Sequence, residues 1–167
     1  MKEKWFVIKV ADLLNQPWKS DELSFESKST EQLPNLDENW LSWIVLLQSL
    51  DKNSILVDLV DVQGVIEDSC DICQKSYKRE FVCPNYRAKF ILPEYDKDEE
   101  SDAFEEIFPI EAKTDLINIE DMLVQAVILQ EPIVKRCEGC ETKKFETENI
   151  EDDEVDYFEW KSNIIFK

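Results

Sequence analysis

Two Cys-x-x-Cys pairs carry the most specific chemistry in this 167-residue chain: Cys70 and Cys73 in S-C-D-I-C-Q-K, and Cys137 and Cys140 in R-C-E-G-C-E. Two intervening residues let both sulfurs of a pair face one ion, and four thiolates at about 2.3 Å satisfy tetrahedral zinc without any histidine. Gly139 is expected to ease the tight turn of the second pair. The pairs are separated by 63 residues, far beyond the usual finger template. A shared structural zinc would therefore close a long loop and stabilise the fold by restricting the unfolded chain. Two other readings stay open: reduced thiols around a vacant site, and a redox dithiol. The redox reading wants its pair at a helix start in a βαβ unit, which the sequence does not display. Cys83 stands alone and reads as a small buried hydrophobe rather than a fifth ligand.

Composition narrows the remaining chemistry. The chain has no histidine, which removes Ser-His-Asp and Cys-His triads, imidazole metal ligands and imidazole acid–base catalysis. Its two glycines, Gly64 and Gly139, are far apart, so neither a P-loop nor a dinucleotide-binding fingerprint is present. No catalytic residue is assigned, and a binding or assembly role is expected. Basic residues gather around the cysteines: Lys75, Lys78, Arg79, Arg87 and Lys89 follow the first pair, and Lys135, Arg136, Lys143 and Lys144 flank the second. If the pairs converge, these nine of the 19 basic residues are expected to form one face able to contact RNA or a partner. Tyr77, Phe81, Tyr86 and Phe90 lie among them and would offer stacking surfaces, unless they are core residues. The same charges can instead neutralise a four-thiolate zinc site, which carries −2.

The rest of the molecule is acidic, with 38 acids, 19 bases and a net charge of −19. Residues 94–106 and 146–159 hold 16 of those acids, and the body outside them has a net charge of only −4. Such segments are solvated linkers, or arms that engage a basic partner. Val155, Tyr157, Phe158, Trp160 and the terminal Ile164, Ile165 and Phe166 suggest an element that docks at the end of the chain. The N-terminal apolar stretch is short and broken by Lys9, unlike a signal peptide, and no stretch approaches the length of a membrane span. With free thiols, this leads to the expectation of a cytoplasmic protein with neither a membrane nor a small-molecule partner.

These residues need elements to position them. Residues 4–10 read as a strand, followed by a turn at Asn15, Gln16 and Pro17, and residues 20–38 read as polar and irregular around Pro34. Residues 40–50 place Trp40, Trp43, Ile44 and Leu47 on one helical face. The turn at residues 51–54 and the β-rich run behind it favour instead a strand paired with 55–67. Residues 76–92 alternate, and Pro84 and Asn85 look like the turn of a hairpin. A helix is expected over 118–130, capped by Asn118, with Glu120 and Asp121 at its positive end and Pro132 as its stop. The expectation is an α+β fold in a single domain, 1–167, with its core at about 40–140. Its antiparallel sheet or partial barrel is followed by one main helix and acidic linkers.

The order of these motifs resembles the YceD family of bacterial and plastid large-ribosomal-RNA-subunit accumulation proteins. The likeness covers about residues 55–140 and rests on V-Q-G-V-I-E-D, then C-D-I-C-Q-K-S-Y, an acidic linker and D-L-I-N-I-E-D-M-L-V-Q-A-V-I-L-Q-E-P-I-V, followed directly by a cysteine pair. Ile72 stands where the family's first pair carries arginine, and Gln130 and Glu131 replace small apolar residues before the proline. The resemblance implies a non-enzymatic cytoplasmic factor that supports large-subunit ribosomal RNA levels. It would act with a ribosomal or rRNA-processing protein, with RNA reached only through the local basic face. The competing expectation is a zinc-stapled adaptor in a complex unrelated to ribosomes.

Overall fold

Period-two burial organises most of the chain. The computed structural model describes residues 4–37, 41–95 and 106–141. After a short 3₁₀ turn at Lys4–Phe6, the elements in chain order are β1 (Val7–Lys9), α1 (Ala11–Leu14), β2 (Ser20–Lys28), β3 (Leu41–Ser49), β4 (Ser54–Ser69), β5 (Ser76–Ile91), β6 (Glu106–Pro109), β7 (Leu116–Asn118), α2 (Glu120–Ile128) and α3 (Glu138–Glu141). Strands β2 to β6 form one open five-stranded sheet in sequence order, antiparallel except for the parallel β5–β6 pair, and β1 and β7 form a separate antiparallel ribbon. The fold is α+β, with a mixed sheet that does not close into a barrel.

In β3 every odd residue from Leu41 to Ser49 is buried, because one sheet face meets the core while the other meets solvent. Trp43 is stacked between Phe6 and Phe25, with ring centroids 5.8 and 5.1 Å away. Met122, Leu123, Ala126 and Val127 form the apolar stripe of α2 and complete that core against β4 and β5. Asn118 Oδ1 accepts the Glu120 N–H at 3.0 Å, so the expected capping side chain does serve the first turn. The Ile119 N–H donates to Phe6 O at 2.9 Å, which ties the helix start to the N-terminal segment.

Two sequence expectations change. Residues 20–28 are not irregular: Leu23 and Phe25 alternate with exposed polar residues in β2, an edge strand that buries little and so looks polar. Pro84 and Asn85 are not a hairpin turn either. They lie inside β5, which pairs in constant register with β4 from Ser69↔Ser76 to Ser54↔Ile91. Both strands switch faces at the same level. Ile55, Val57 and Leu59 point into the core before Asp61, and Val62 and Ile66 after it; Phe81 and Cys83 do so before Pro84, and Ala88 and Phe90 after it. Asp61 has φ 50°, and the β3–β4 register shifts between Ser42 and Ile44, as a bulge requires. Pro84 is tolerated because it falls at this break in the ladder, where its missing N–H removes no cross-strand bond. The left-handed backbone at Asp61 gives an expected result: Asp61→Val should cost about 1–2 kcal/mol in urea unfolding, whereas Asp61→Gly should stay near wild type.

Trp40, most of the 94–106 acidic window, all of the 146–159 window and the terminal hydrophobes lie outside the described residues. Among the described residues, no helix is long and apolar enough to cross a membrane.

Candidate metal centre

The outer end of the β4–β5 hairpin is where the cysteines meet. Cys70 follows the last residue of β4, and its N–H donates to Lys75 O at 2.9 Å while its carbonyl accepts from Gln74 N–H at 2.9 Å. Gln74 adopts φ 61°, which lets residues 70–75 reverse the chain in so few steps. Cys137 immediately precedes α3 and accepts the N–H groups of Cys140 and Glu141 at 2.8 and 3.1 Å. The second pair is therefore wound on one turn of helix. Gly139 sits inside that turn without a positive φ, and an added Cβ there would meet nothing within 4 Å, so the expected need for glycine is not present. Gly139→Ala is expected to keep the site and to raise stability by about 0.5–1 kcal/mol, read as a higher urea midpoint.

All four sulfurs lie within 4.8 Å of one another, and Cys73 Sγ and Cys137 Sγ are 3.6 Å apart. The sulfurs of a zinc tetrathiolate with about 2.3 Å bonds are separated by about 3.8 Å. The cluster is thus already close to the size of that tetrahedron, and the four cysteines can hold a metal ion. Cys70 and Cys140 are buried, and Cys73 and Cys137 are half-buried. Backbone N–H groups of Cys137, Cys73 and Ile72 aimed at Cys70 outweigh its burial and hold its thiol down at about 6. Burial and the neighbouring sulfurs push Cys140 up to about 12, and the Cys73 hydrogen bond and burial raise Cys137. One thiolate is stabilised mainly by backbone N–H groups; four in this volume require a cation. Cys83 is buried elsewhere, donates to Asn85 O at 3.6 Å and has a pKa raised by burial, in keeping with a packed thiol outside the cluster.

Carboxylates that sequence reasoning did not single out hold the two cysteine segments together. The Asp71 N–H donates to Lys135 O at 2.8 Å, and the Lys135 N–H donates to Asp71 Oδ2 at 2.7 Å. Nearly buried Asp68 pairs with Arg79 Nε at 2.8 Å and with Lys135 Nζ at 3.1 Å. Burial acts to raise the Asp68 pKa, but hydrogen bonds from Arg79 and Lys135 prevail and lower it. Its contribution to stability is thus complete above the ordinary carboxylate pKa and is lost as pH falls through the lower folded value. In urea unfolding between about pH 5 and pH 2, Asp68→Asn should remove part of the acid-side loss of stability that wild type displays. At neutral pH, Asp68→Ala should cost about 3 kcal/mol, because Arg79 is left without its buried partner.

The expected basic face is only partly assembled. Arg79 and Lys135 are both engaged by Asp68. Lys78 is exposed yet pairs with Asp37 at 3.3 Å, Lys75 is exposed at the hairpin turn, and Arg136 is half-buried beside Cys137. Arg87 and Lys89 lie beyond Pro84, roughly 35 Å or more of strand from the hairpin turn. Arg87 forks onto Asp58 at 2.7 and 3.1 Å. Lys143 and Lys144 lie outside the described residues. The aromatic platform does not form: Phe81 and Phe90 are core residues, and Tyr86 is half-buried with its hydroxyl between Gln125 Oε1 and Glu106 Oε2 at 2.8 and 3.0 Å.

No family model matches the chain, no curated protein matches it and no solved structure matches it.

Proposed function

We propose that this protein is a non-enzymatic assembly factor whose interaction surface is stapled by one structural zinc ion on Cys70, Cys73, Cys137 and Cys140. It supports large-subunit ribosomal RNA accumulation through a ribosomal or rRNA-processing protein. The observation that carries the metal is the convergence of four sulfurs within 4.8 Å from segments far apart in sequence. When bound, the zinc would neutralise the clustered thiolates and lock the hairpin end to the segment behind α2. A structural role is favoured because all four positions are protein thiols, whereas catalytic zinc keeps one position open. The ribosomal part rests on the motif order from residue 55 to 140 and on an excess of acid that suits a basic protein partner better than bare RNA.

Elemental analysis of the purified protein and co-sedimentation with ribosomal subunits test the two parts separately. One zinc per chain with recovery on the large subunit or its precursors is the expected result. Zinc without ribosomal association would favour the adaptor reading, and absence of any metal would defeat the staple.

A further inference from the structure

The outer half of β5 is paired on one side only. Strand β4 runs along its full length, but β6 meets it only at Ala88–Ile91, so among the described residues no strand covers its second edge over residues 76–87. The corresponding half of β4 is covered on its far side, where the Asp37 N–H donates to Val65 O and the Glu67 N–H to Asn35 O, both at 2.9 Å. The open edge of β5 therefore presents a row of N–H and C=O groups with no backbone partner among the described residues. A groove of about 830 Å³ runs along it. Tyr77 and Arg79 from the inner face and Lys78 and Glu80 from the outer face form one wall, so the groove opens on the edge of the strand rather than on either face. Pro132, Val134, Arg136 and α3 supply the other wall.

The lining also sets the charge of an occupant. Lys78 and Arg79 are already held by Asp37 and Asp68. Arg136 is the third cation of the lining, and against it stand Glu80, Glu138 and Glu141, whose side chains make no ion pair among the described residues, so carboxylates outnumber the remaining positive charge on the groove. Exposed Val82 and Val134 add apolar contacts beside it.

The geometry points to a β-strand-addition site: an extended basic segment of a partner protein, with alternating apolar side chains, joins the sheet along residues 77–83 of β5. The backbone edge dictates an extended ligand, and the carboxylates dictate its sign. The assignment deepens the proposed assembly role by giving the form of the partner segment. The break in the ladder at Pro84 limits the site to the outer half of the strand.

The test uses the full-length protein and a labelled octapeptide of alternating lysine and valine. Saturable binding is expected, with slowed hydrogen exchange at alternate amides of residues 77–83. The double charge reversal Glu80→Lys/Glu138→Lys should weaken binding about tenfold or more. A glutamate–valine octapeptide and a lysine–valine octapeptide N-methylated at alternate residues should not bind. Equal binding of either control, or binding without slowed exchange on β5, would overturn the site. Co-sedimentation with large subunits that persists when the edge fails these tests would leave the assembly role standing and remove this surface from it.

Discussion

Chelating the zinc proposed for the cysteine cluster should lower the melting temperature by roughly 10 °C while leaving the central sheet folded. The size follows from topology: the metal joins two pairs 63 residues apart, so its loss frees a long loop in the unfolded chain. The local character follows from packing. The main core, with Trp43, Leu59, Phe90 and Leu123 fully buried, is built without the four clustered cysteines. Hydrogen exchange should therefore accelerate at residues 70–75 and 132–141 and remain slow in β3. Cys70→Ser with Cys140→Ser should reproduce the effect and reduce zinc from one per chain to near none. Asp71→Ala should make chelation more disruptive, because it removes the carboxylate that accepts the Lys135 N–H and leaves only the Asp71 N–H bond to Lys135 O of the Asp71–Lys135 clamp between the two segments. A melting temperature and exchange pattern unmoved by chelation of a zinc-loaded sample would contradict the staple.

Trp43→Ala should be the most damaging single core substitution, at about 4 kcal/mol in urea unfolding. The indole is 1% exposed and holds two aromatic rings from different parts of the chain, Phe6 before α1 and Phe25 in β2. Its loss leaves a large cavity and unfastens both neighbours. Trp43→Phe should cost far less. The indole N–H is buried and has no hydrogen-bond partner among the described residues, so the smaller ring removes that liability while retaining most of the stack. A Trp43→Ala protein with a near-wild-type midpoint would mean that the stack contributes little to folding.

Local signals account for the parts of the architecture that were legible. The β3–β4 pairing followed from two apolar runs around a polar turn, and α2 followed from helical spacing between an asparagine cap and a proline stop. Shared chemistry made the cysteine cluster legible, because two identical two-residue gaps imply a common ion whatever the distance between them. Elements whose local signal was ambiguous were misread. Strand β2 has the right alternation at Leu23 and Phe25, but its exposed positions are so polar that they resemble a loop. Pro84 resembles a turn until its neighbour in space, Asp61, is known. The Asp68–Arg79–Lys135 triad had no local signal at all, since its members come from β4, β5 and the segment after α2. The same triad explains why clustered basic residues did not add up to a free basic face.

The paired switch at Asp61 and Pro84 turns the outer half of the hairpin into a spacer that can be lengthened only in even steps. Adding two residues to each strand between the switch and Cys70 would carry the thiols outward by about 7 Å with every side chain still on its own side. Adding one to each would invert that stretch, sending Phe81 toward water and Val82 toward α2. Parity, rather than length, is the quantity this hairpin must conserve.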